Sequence, residues 1–190
     1  MSTGKNVFIV GPGLIGWTIL DLLVSEGYNV TGFVRSDARA AEIKKAGAQT
    51  VVGDLHDKAS IAEQVAKHDI VLHTATADDL PSVEAVLDGI NQRASKGLQT
   101  IYIHTSGTSL LNDNAEGGFK SDKIYHDDKQ EEIDSLGDDA PHRDVDLTIL
   151  KARKELGEKA KIAIMIPPLI YGSESSYLLR PEVISTDEHL

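Results

Sequence analysis

Five short β-branched runs, with a turn and a helical stretch between each and the next, constrain this chain more than any other feature. Residues 7–10, 30–34, 50–52, 70–73 and 100–104 read as strands, and 14–26, 37–46, 58–67 and 81–95 as helices. In the first helix Leu14, Ile15, Ile19, Leu22 and Leu23 make an apolar stripe, and Pro81 suits a first helical turn, where its missing N–H costs nothing. Strands that alternate with helices in this way need cover on both sides. The predicted fold is therefore α/β, a doubly wound parallel sheet. The rhythm lapses after Ser106 and resumes with a helix over 144–156, where Val145, Ile149, Ala152 and Leu156 mark the buried face and Gly157 the end. A sixth strand follows at 161–166, so six to seven strands are expected.

Gly11-Pro12-Gly13-Leu14-Ile15-Gly16 joins the first strand to the first helix as G-x-G-x-x-G. Gly11 suits a tight turn, Gly13 a close backbone approach to a pyrophosphate, and Gly16 close packing of helix on strand. The helix N-terminus, through residues such as Leu14 and Ile15, then offers N–H groups and a positive dipole end to phosphate. In strand–turn–helix context this predicts a dinucleotide site of the Rossmann type.

The second strand ends Gly32-Phe33-Val34-Arg35-Ser36, without the acid that holds a ribose 2′-OH. Arg35 suits a 2′-phosphate instead, with Ser36 and Arg39 assisting, so NADP(H) is expected over NAD(H). Asp37 stands close enough in sequence to reach the ribose after a small turn shift. Ligands bind outside the carboxyl ends of parallel strands, which brings in Gly53-Asp54-Leu55 and the small-residue run Thr74-Ala75-Thr76. Asp54 either accepts from the adenine amino group or caps the next helix.

These segments, with His104-Thr105-Ser106-Gly107 and Ile166-Pro167-Pro168-Leu169-Ile170-Tyr171-Gly172, come in the order seen in the extended or atypical short-chain dehydrogenase/reductases. The chain resembles their epimerase/dehydratase-like branch over residues 6–172. The resemblance implies a Rossmann fold, a bound NAD(P) touched also by Ser106 and Pro167, and redox or epimerase chemistry on a small alcohol or carbonyl. It also implies a catalytic Ser after strand five, matched by Ser106, and a Tyr-x-x-x-Lys on the helix entering strand six. Tyr125 and Lys129 match that string, and on a helix their spacing would put both on one face. They lie in the segment before the helix over 144–156, which contains no tyrosine. The family's substrate region follows Tyr171-Gly172, where eighteen residues remain here.

Thirty acids against nineteen bases give a formal charge of −11, which argues against a nucleic-acid or anionic-lipid partner. Residues 112–146 alone carry twelve acids and four bases. The acidity thus belongs to an irregular insertion at 107–143 within a domain over 1–172, followed by a short tail at 173–190. Cysteine is absent, and the seven histidines show no ligand spacing, so neither a disulfide nor a metal site is expected. The uncharged stretch over residues 6–20 is too short to span a bilayer, and no signal-peptide pattern precedes the first strand; a cytoplasmic protein is expected. His104 reads as a packed strand residue.

Three readings follow. The chain is an NADP-dependent oxidoreductase or epimerase-like enzyme with a small-molecule substrate; or a catalytically silent NADP(H)-binding module, a redox sensor or regulatory partner of the NmrA-like kind; or an interaction domain working through its acidic face. The oligomeric state, homodimer included, is left open by the sequence.

Overall fold

The computed structural model describes residues 3–111, 115 and 118–170. The elements in chain order are β1 (Asn6–Val10), α1 (Leu14–Ser25), β2 (Asn29–Val34), α2 (Asp37–Lys45), β3 (Gln49–Val52), α3 (Lys58–Val65), β4 (Ile70–His73), α4 (Leu80–Ser95), β5 (Thr100–Thr105), α5 (Gln130–Asp134), α6 (Arg143–Leu156) and β6 (Ala160–Met165). Among the described residues the six strands form one sheet in the order β3-β2-β1-β4-β5-β6, every neighbouring pair parallel. The chain works outward from β1 to one edge, then crosses back to β4 and works outward to the other. The order reverses between β1 and β4, which opens a crevice at the carboxyl ends of these strands.

Both faces of the sheet are covered, because successive side chains of a strand point to opposite sides. Phe8 and Val10 join Ile61, Val65, Val83, Val86, Ile90, Tyr102, Val145 and Ile149 in one core, beneath α3, α4 and α6. Val7 and Ile9 join Trp17, Leu20, Val30, Ile43 and Leu72 in the other, beneath α1 and α2. The β-branched runs are thus apolar on both sides, as the alternation requires.

Local signals account for the element ends. Ser36, Asp57 and Asp79 each accept a backbone N–H at the start of α2, α3 and α4. Pro81 sits in the first turn of α4. The inward face of α1 differs from the expected stripe. Gly16, Trp17 and Leu20 are buried, while Leu14 and Leu22 are 43% and 61% exposed. Gly16 sets this rotation, since a Cβ there would lie 2.4 Å from Thr74 Oγ1. Only the glycine can face the β4–α4 loop, and Trp17 and Leu20 follow it inward.

The acidic segment is less irregular than expected. It contains a 3₁₀ turn at Thr108–Leu111 and the short helix α5. No residue from 118 to 142 is buried, and Glu132 pairs locally with Lys129 at 3.1 Å and with His126 at 2.8 Å. Tyr171, Gly172 and the tail at 173–190 lie outside the described residues.

Candidate functional site

A cleft of about 770 Å³ opens over the carboxyl ends of β1, β2, β3 and β4. Gly11, Gly13, Arg35, Ser36, Asp54, Leu55, Thr74, Ala75 and Thr76 line it, so nine residues singled out from sequence come together on four separate loops. Pro12, Phe33, Val34, Ala38, Arg39, Glu42 and Gly53 complete the wall.

The glycine turn has the features a phosphate requires. Gly11 has φ +73°, and a Cβ there would sit 2.4 Å from the Ala75 side chain and 2.5 Å from its Cα. Gly13 is different: the nearest atom to a Cβ would be Gly11 O at 3.9 Å. Nothing in the fold fills the place of its side chain, so the bare backbone faces open cleft. Gly13 is also the N-cap of α1, with no side-chain cap and no acid in the first turn. The positive end of that helix is left unneutralised by its own side chains. Turn, helix end and cleft volume all fit a dinucleotide.

At the far end of the cleft Arg35 is exposed and Ser36 Oγ accepts from Arg39 N at 3.3 Å. Arg39 bonds Glu42 at 2.8 Å and lays its guanidinium 5.1 Å from the Trp17 ring. Ala38 and Glu42 were missed in the sequence; the signal was there, since Ala38, Arg39 and Glu42 share a face of α2 by i, i+3 and i+4 spacing. Asp54 is exposed, and its Oδ1 accepts from His56 N at 2.8 Å. The cap of α3 is Asp57, which removes the capping alternative for Asp54.

Leu14, Ile15 and Gly16 carry the start of α1 just beyond the cleft wall, and Ser106 and Pro167 lie past the ends of β5 and β6. Ser106 is 5% exposed; its N–H bonds Met165 O at 2.8 Å and its Oγ donates to Asp146 Oδ2 at 3.0 Å. Burial raises the pKa of Asp146 above the ordinary carboxylate range, against the Ser106 hydrogen bond, which lowers it. Pro167 O accepts from Thr108 N at 3.2 Å and so anchors the 3₁₀ turn after β5.

Tyr125 and Lys129 do not share a helical face. Tyr125 lies in non-helical chain with Lys123 Nζ 4.5 Å from its ring centre, while Lys129 is the N-cap of α5 and pairs with Glu132. Asp127 and Asp128 form a turn between them, and a turn breaks the i, i+4 geometry that the string alone implied.

Beneath the site, His104 is fully buried, as expected of a packed strand residue. Its ring lies 5.2 Å from that of His73, Tyr102 OH is 3.3 Å from its Nδ1, and His73 Nε2 bonds Ser82 Oγ at 3.0 Å. Burial pushes His73 down to about 4 and His104 down to about 3, so both are neutral near pH 7. His142 was missed in the sequence. It precedes α6 and meets Ser109 Oγ at 2.6 Å through Nε2 and Asp78 Oδ1 through Nδ1. Among the described residues no group of three or more His, Cys, Asp or Glu side chains could hold a metal, and no helix is long and apolar enough to cross a membrane.

Known proteins agree with this geometry. The chain is 24% identical over 188 residues to the decarboxylating sterol-4-alpha-carboxylate 3-dehydrogenase of Dictyostelium discoideum, a match over 92% of this chain and 56% of that protein. Among solved structures, yeast methylglyoxal/isovaleraldehyde reductase Gre2, complexed with NADPH, superposes with a TM-score of 0.61 at 21% identity, over 90% of this chain and 59% of that one. UDP-glucose 4-epimerase from Stenotrophomonas maltophila, with bound NAD, gives 0.61 at 18% identity, over 92% and 60%. At these identities the structural likeness is one of fold. The chain spans about half the length of the curated relatives it matches. A family model described as NAD(P)H-binding matches residues 11–154, from the first glycine of the turn to the last turn of α6. The chain belongs to the NAD(P)H-binding family and has a Rossmann-type fold.

Proposed function

We propose that this chain binds NADP(H) in preference to NAD(H) and serves hydride-transfer chemistry on a small alcohol or carbonyl. The observation that carries the cofactor choice is the wall at the end of β2. Arg35 and Ser36 stand there with Arg39, and the strand end bears no acid. A planar guanidinium binds a 2′-phosphate through paired, charge-assisted hydrogen bonds, which a ribose hydroxyl does not offer. When bound, the nicotinamide supplies the hydride; the chain holds the pyrophosphate on Gly11, Gly13 and the N-terminus of α1, with Leu14, Ile15 and Gly16 in that first turn. Asp54 and Leu55 would hold the adenine end, and Thr74, Ala75 and Thr76, with Ser106 and Pro167 beyond them, would hold the rest of the dinucleotide.

Titration calorimetry with NADPH and NADH tests this reading. NADPH should bind at least tenfold tighter, and Arg35→Ala should remove most of that difference while leaving NADH unchanged. Tighter binding of NADH would overturn the choice of cofactor.

A second reading, a dinucleotide-binding module without turnover, is favoured by the placement of Tyr125 off any helix and by Lys129 being ion-paired elsewhere. Ser106 with Tyr125 and Lys129 remains the catalytic set that the family resemblance suggests, and Tyr125→Phe tests it directly. Loss of turnover with unchanged NADPH affinity would support the set. A small-molecule substrate goes with the first reading, supported by the open cleft; a cytoplasmic location is proposed for both.

A further inference from the structure

The β4–α4 loop, the 3₁₀ turn after β5 and the residue before α6 converge on one hydrogen-bonded chain. Asp78 lies two residues beyond Thr76 of the cleft wall, and its carboxylate oxygen Oδ1 meets Nδ1 of His142. The other ring nitrogen, Nε2, lies 2.6 Å from Ser109 Oγ. A carboxylate only accepts, so Nδ1 carries the hydrogen, and in that tautomer Nε2 presents its lone pair to the Ser109 hydroxyl. The order Asp78, His142, Ser109 is that of a side chain poised to take a proton from a hydroxyl and to hold the resulting imidazolium.

Two further observations single out His142. Its backbone has φ +65°, and it is the one non-glycine residue with positive φ among those described. Histidine is among the few non-glycine residues that adopt the left-handed region readily, and this turn before α6 goes with a ring that meets Asp78 and Ser109. Gly107 faces the same ring, and a Cβ there would come within 3.2 Å of His142 Nε2, so a bare backbone gives the imidazole its room.

Accessibility separates this chain from the other polar groups at the same sheet edge. Ser106 and Asp146 are sealed at 5% and 2% exposure, and His73 and His104 are fully buried. The Ser109 hydroxyl, in contrast, is open to solvent beside the end of β5. We propose that Ser109, His142 and Asp78 form the proton relay of the site, an assignment that rests on the hydride-transfer reading above. In oxidation, a substrate alcohol gives its proton to Ser109 Oγ as the serine proton passes to His142 Nε2. The C–H pair leaves as hydride to an oxidised nicotinamide cofactor, and the C–O bond becomes a carbonyl. Asp78 holds the imidazolium until it returns the proton to water. Reduction runs the same transfers backward. Ser109 touches the substrate, while Asp78 is a positioning residue that sets the tautomer.

The test has two arms. Long-range 1H–15N NMR of the 15N-labelled protein reads the His142 tautomer without any substrate. It should show hydrogen on Nδ1, and Asp78→Ala should return the ring to the Nε2–H form of free histidine; Nε2–H in the unsubstituted protein would overturn the relay. The second arm follows NADPH oxidation by 9,10-phenanthrenequinone. His142→Gly keeps the left-handed backbone, and should lower turnover about a hundredfold or more. NADPH affinity by fluorescence titration should stay within twofold, and added imidazole should restore part of the rate. Full turnover in His142→Gly, or NADPH binding with no reduction of the quinone, would overturn the relay and leave cofactor binding standing. Failure to bind NADPH would instead remove the hydride-transfer reading and the relay with it.

Discussion

Gly11 and Gly13 stand two residues apart in one turn and are glycine for different reasons. Gly11 has a left-handed backbone pressed on Ala75, so its missing side chain belongs to the fold. Gly13 meets no neighbour closer than 3.9 Å, so its missing side chain leaves room for a ligand. The two substitutions to alanine should therefore separate stability from binding. Gly11→Ala should lower stability by about 2 kcal/mol or more, since the positive φ is strained and the contact involves backbone. Gly13→Ala should change the thermal midpoint much less and weaken NADPH binding at least tenfold. Thermal melts and NADPH titration on both variants check this.

Ser106 is similarly double-edged. It was legible as a strand-end hydroxyl, but its partner was not, because Asp146 lies forty residues away on α6. A buried carboxylate that loses a donor keeps its desolvation cost. Ser106→Ala should thus destabilise the fold by about 1–3 kcal/mol in urea titration at neutral pH, apart from any effect on catalysis.

At the scale of elements, β4 and β5 carry the two buried histidines that face each other across the sheet. Each has its folded pKa below the unfolded value of about 6.5. Their neutral forms suit the fold, so their contribution is complete above pH 6.5 and is lost as pH falls, because the unfolded chain then binds more protons. Unfolding free energies from urea titrations between pH 7 and pH 4.5 should fall steadily, by about 1.4 kcal/mol per pH unit for each group that titrates only when unfolded, and the midpoints with them. His104→Gln should flatten that slope; a midpoint independent of pH would show that the pair is not buried neutral.

The helices show where local sequence is enough and where it is not. Caps at Ser36, Asp57 and Asp79 and the proline of α4 are local signals, and they place their helices within a residue or two. The rotation of α1 is not local. It follows from Gly16 meeting Thr74, sixty residues on, and so Leu14 and Leu22 emerge outward despite the apolar stripe they suggest.

For the whole molecule, the formal charge of −11 divides between a nearly neutral sheet and an acidic excursion with no buried residue between 118 and 142. That excursion holds one local charge cluster, Glu132 with Lys129 and His126, and adds little to either core. Replacing residues 118–139 by a Gly/Ser stretch of equal length should leave the thermal midpoint within a few degrees. A large fall would show that the segment supports the domain. Only its end meets the site, where His142 reaches Asp78 and Ser109.

Sequence alone determined the doubly wound sheet, both apolar faces and most of the cofactor cleft. Those rest on period-two and helical patterning and on a glycine turn, all written in neighbouring residues. The tertiary structure decided which polar side chains meet at the proposed relay. Asp78, Ser109 and His142 belong to three separate connections with no shared motif, and Ser106 finds Asp146 only after the β5–α6 connection has closed. Tyr125 and Lys129 had a matching string but lacked the helix that gives it meaning. Spacing in sequence specifies a site only where the backbone between the residues is regular; elsewhere the sheet edge that gathers the loops decides which side chains meet.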